Sequence, residues 1–100
     1  MALPPFLKSL ESYDPDFAQA IEKVVSSAMT PGALDEKTKL LIALALDAAH
    51  GSIQGVTSVA NRARSVGATD AEIAETLRLA YFASGNSILI ASSAAFQKME

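Results

Sequence analysis

Apolar residues recur along this chain at intervals of three and four, and no segment of any length alternates with period two. That spacing puts the apolar side chains on one stripe of a helix and denies them a common face on a strand. The punctuation agrees. A first helix is predicted over residues 3–13, with Pro4 and Pro5 tolerated in its opening turn. Asp14-Pro15 reads as an N-cap followed by proline at the first helical position, opening a helix that places Phe17, Ile21, Val24 and Ala28 on a buried face. Thr30-Pro31-Gly32 breaks the chain. Asp35 caps a third helix running through Leu40, Leu41, Leu44 and Ala48 to His50, where Gly51 supplies the stop.

A fourth helix, over about residues 52–66, turns Val56, Val59, Ala60 and Ala63 inward and ends at Gly67. Arg62 and Arg64 fall in its last turns, where positive charge suits the helix dipole. Thr69-Asp70-Ala71-Glu72 spells a capping box, the clearest local signal in the chain. The fifth helix follows with Ile73, Leu77, Ala80 and Tyr81, the last read as a core aromatic. Gly85-Asn86 is expected to interrupt it, with Asn86 capping a last helix over about residues 87–98. That segment is apolar on several sides and belongs in a core or at a subunit contact. The expectation is an all-α, single-domain bundle of about six helices over residues 1–100.

Composition then asks where the apolar residues go. Half of the 100 residues are hydrophobic, and mean hydropathy is +0.25. A domain of this size buries only about two-thirds of its unfolded surface. Burial between subunits is the simplest destination, and a homo-oligomer is expected. A membrane partner is not. The longest aliphatic run, Leu40 to Leu46, is seven residues, against the roughly 20 that a bilayer demands. Eight basic and 11 acidic residues give a net charge of −3, so no nucleic-acid partner is expected either. The opening Met-Ala-Leu-Pro-Pro has no basic region ahead of an apolar core, and cysteine is absent. Both point to the cytoplasm.

The stretch from Pro31 to Phe96 resembles the carboxymuconolactone decarboxylase family, which includes the alkylhydroperoxidase D-like proteins. The likeness is carried by Pro31-Gly32-Ala33-Leu34-Asp35-Glu36-Lys37-Thr38-Lys39 with Leu41-Ile42-Ala43-Leu44-Ala45 after it. Next come Gly67-Ala68-Thr69-Asp70-Ala71-Glu72-Ile73-Ala74-Glu75, then Ala80-Tyr81 with Gly85 before the apolar end. The resemblance implies an alkylhydroperoxidase D-like fold that assembles as a trimer or hexamer. It also implies where thiol chemistry would sit: two cysteines and a histidine at the start of the fourth helix, and a glutamate one helix earlier. Those positions hold Ser52, Gly55, Val59 and Leu40 here. A serine hydroxyl cannot replace a thiolate in disulfide exchange. The three sulfur atoms belong to Met1, Met29 and Met99, thioethers with no ionisable proton. Thiol peroxidase activity is not expected.

What chemistry remains centres on Asp47, His50 and Ser52, the candidate catalytic residues. Asp47 lies seven residues after Leu40, nearly two turns on, and so shares the stripe of the missing glutamate. His50, the only histidine, is one turn beyond Asp47, within reach of an Asp–His contact. Ser52 follows at the position of the first missing cysteine. A carboxylate near the end of an apolar helix opposes the dipole, which hints at something that offsets it. The plainer reading of His50 is a helix-closing residue beside Gly51. No metal set is spelled out, no glycine-rich phosphate loop is present, and no cofactor is expected. Two function classes follow. One is a cofactor-free enzyme of lyase type acting on a small organic acid or lactone. The other is a catalytically silent subunit that binds a small molecule or serves assembly. A helix-turn-helix DNA binder, read from Ile53 to Arg64, fails on the acidic balance.

Overall fold

The computed structural model describes residues 5–98, and helices are the only regular elements among these residues. It divides into two compact units, Met1–Ala33 and Leu34–Glu100. The first holds α1 (Pro5–Tyr13) and α2 (Pro15–Met29), packed on each other with Leu7 and Ala18 buried. Asp14 caps α2 as its sequence requires, its carboxylate accepting the Phe17 N–H at 3.3 Å with Pro15 at the first position. The face assigned to the interior is not covered, however. Phe17 and Val24 are exposed, because a helical stripe shows which residues lie together but not what lies opposite them. Leu3 and Pro4, also assigned to the first helix, lie outside the described residues.

The second unit holds α3 (Glu36–Ala49), α4 (Ile53–Ser65) and α5 (Asp70–Ser92), the last running into a 3-10 turn at Ser93–Phe96. Helix α3 packs against both α4 and α5. Leu44, Ala60 and Ile73 meet at the centre, with Leu41, Val56 and Val59 against them. One large side chain from α3 and small ones from α4 let the helices approach closely. The turns between them are fixed by two glycines in the left-handed region, Gly51 at φ +74° and Gly67 at φ +99°. Each ends its helix because it can take a backbone conformation that a side chain resists.

Helix α5 departs from the expectation of two helices. It is continuous over 23 residues, and Gly85 and Asn86 sit inside it. Glycine stops a helix when it adopts positive φ, and Gly85 does not. In a helical conformation it only weakens the helix, by about 1 kcal/mol relative to alanine. Among the described residues, five α-helices and a 3-10 turn thus stand where about six helices were expected. Tyr81 is exposed rather than a core aromatic, and Ile88, Leu89, Ile90 and Phe96 have no cover within the second unit. Continuity also changes the length argument. The helical run Asp70–Phe96 is long and apolar enough, by length and composition alone, to cross a membrane.

The start of α5 is tied down. Thr69 and Glu72 complete the capping box, the Thr69 hydroxyl accepting the Glu72 N–H at 3.1 Å and the Glu72 carboxylate accepting the Thr69 N–H at 2.9 Å. The other carboxylate oxygen of Glu72 receives Lys37 Nζ of α3 at 2.9 Å. The lysine, first, and the Thr69 amide hold the Glu72 pKa below its ordinary 4.5, while the glutamate raises that of Lys37. A lowered carboxylate pKa stabilises the fold above the unfolded value, and that contribution is lost as pH falls through the folded one. Glu72→Gln is therefore expected to be less stable than the parent near pH 7. The gap should narrow as pH drops below 4.5, read from urea midpoints. A gap that stays constant into acid would contradict this role for Glu72.

Candidate functional site

The tight turn between α3 and α4 brings two of the three candidate residues together. Helix α3 closes at His50, whose backbone N–H reaches the Leu46 carbonyl at 3.0 Å. Gly51 reverses the chain, and the Ser52 N–H donates to the Asp47 carbonyl at 2.9 Å. Ser52 is the N-cap of α4, its hydroxyl accepting the Gly55 N–H at 3.2 Å. The Asp47 carboxylate lies across this first turn. A Cβ built on Gly55 would fall 2.7 Å from Asp47 Oδ2 and 2.7 Å from Ser52 Oγ. Carboxylate and hydroxyl thus converge on one point, and the absent side chain of Gly55 makes the room.

This placement answers the question raised by an acidic residue near the end of α3. The first turn of α4 presents unpaired N–H groups and the positive end of a dipole, where an anion is favoured by about 0.3–1 kcal/mol. Asp47 rests on it. Its carboxylate lies beside Gly55 in that turn, next to the Ser52 hydroxyl that takes the Gly55 N–H.

His50 takes no part in this contact. Its side chain is exposed, and among the described residues no hydrogen bond or ion pair joins it to Asp47. His50 occupies the C-cap with its backbone still helical, and the chain reverses only at Gly51. The expected Asp47–His50–Ser52 cluster is therefore drawn here as Asp47, Ser52 and Gly55. Glycine at that position had signified only a missing cysteine. Its spacing of three from a serine N-cap was the available signal of a crowded helix start. Leu40 and Val59, where the family's glutamate and histidine would stand, are buried or half-buried and apolar.

Chemically, the corner offers a partly buried carboxylate beside an exposed hydroxyl. Such a pair can accept a proton or hold a polar substituent, and it has no nucleophile of thiolate strength. Among the described residues no group of three His, Asp or Glu side chains is arranged to hold a metal ion. A hollow of about 290 Å³ lies between the end of α3 and the middle of α5, lined by Ala48, Ala49, Leu77, Ala80, Tyr81 and Ser84. Its walls are mostly apolar, with two hydroxyls, and its size approaches the lower end for small-ligand sites, roughly 300 Å³.

The packing of Asp47 on Gly55 can be measured. An alanine in a helix is favoured over glycine by about 1 kcal/mol. Gly55→Ala should gain less than that, because its methyl must displace the carboxylate. In an Asp47→Ala background the full gain should return, giving a non-additive double-mutant cycle in urea unfolding. Additive effects would show that the two residues do not touch.

The model of the carboxymuconolactone decarboxylase family matches residues 15–98. Among solved structures, the chain is similar to the apo crystal structure of a carboxymuconolactone decarboxylase family protein from Legionella pneumophila. The identity is 29% and the TM-score 0.72, over 87% of this chain and 78% of that one. No curated protein matches it. With the family model spanning most of its length, the chain belongs to the carboxymuconolactone decarboxylase family.

Proposed function

We propose that this protein is an assembly subunit of the carboxymuconolactone decarboxylase fold, a cytoplasmic homo-oligomer, trimer or hexamer, that binds a small organic molecule without thiol chemistry. One observation carries the reading. No charged residue occurs between Arg78 and Lys98, and the large apolar side chains of that stretch lie exposed along α5. An exposed apolar face of this extent marks a contact surface. A second copy suits it better than a bilayer does. Asp70 and Glu72 at the start of α5 are engaged by Arg64 and Lys37 of the neighbouring helices, which leaves only the later part to cross. That part carries Ser84, Asn86, Ser87, Ser92 and Ser93, polar groups that hydrocarbon penalises. The hollow beside Tyr81 and Ser84 is open in the single chain, and assembly along α5 would give it a further wall.

A second reading is favoured by the Asp47–Ser52 corner: a cofactor-free lyase on a small organic acid or lactone, with Asp47 as proton acceptor and Ser52 as hydrogen-bonding partner. Its supporting observation is the convergence of both side chains on Gly55. The two readings separate experimentally. Light scattering should give a multiple of 10.4 kDa at micromolar concentration, and a 10.4 kDa particle would overturn the assembly reading. Turnover of a lactone or small acid that Asp47→Asn abolishes, with the oligomer intact, would establish the lyase in place of the silent subunit.

A further inference from the structure

We draw no further inference here: the strongest candidate, the hollow between the end of α3 and the middle of α5 lined by Ala48, Leu77, Tyr81 and Ser84, belongs to the site already described and holds no buried polar side chain that would name its ligand.

Discussion

The governing constraint is that the second unit carries more apolar surface than its own three helices hide. Half the chain's residues are hydrophobic, yet the fully covered side chains of the second unit are few and mostly small: Leu40, Leu44, Ala60, Ala63, Ala68 and Ile73. Burial of apolar area at about 25 cal/mol per Å² is what offsets the entropy of ordering a chain. A core of alanines with three larger aliphatics supplies little of it. The uncovered length of α5 is the reserve. Its N-terminal turns serve the chain itself, through Ile73 and the capping box, and its later turns face outward.

The same economy shapes the turn between α3 and α4. In relatives with thiol chemistry this corner would carry two cysteines; here it carries Ser52 and Gly55, with Asp47 laid across the helix start. The Ser52 hydroxyl caps α4, and the Asp47 carboxylate lies beside the same turn, where the positive end of the helix favours an anion. This leaves a carboxylate and a hydroxyl side by side where the family's chemistry would sit, which is why the lyase reading stands beside assembly.

Much of the fold was legible in the sequence because short-range rules decided it. Asp14, Asp35 and Thr69 each stand at a helix start and cap it, and Gly51 and Gly67 end the helices before them. These effects act over four residues and need no knowledge of the rest. Gly85 misled because glycine is both a stop and a permitted helical residue, and only its φ tells which. Tyr81, Phe17 and Val24 misled for a different reason. Periodicity assigns residues to a face, while cover for that face comes from elements distant in sequence or from another chain. At the site, spacing correctly set Asp47 beside Ser52. His50 stands one turn beyond Asp47, as the spacing has it, with its side chain exposed.

If covering α5 is what completes the interior, stability must depend on how many copies are available to cover it. Association that accompanies folding makes the unfolding midpoint rise with protein concentration, whereas a self-sufficient monomer unfolds at one temperature regardless. Thermal unfolding followed by circular dichroism over a hundredfold range of concentration therefore tests the account most directly. The account predicts a midpoint that climbs steadily with concentration. A midpoint that stays fixed across the range would contradict it.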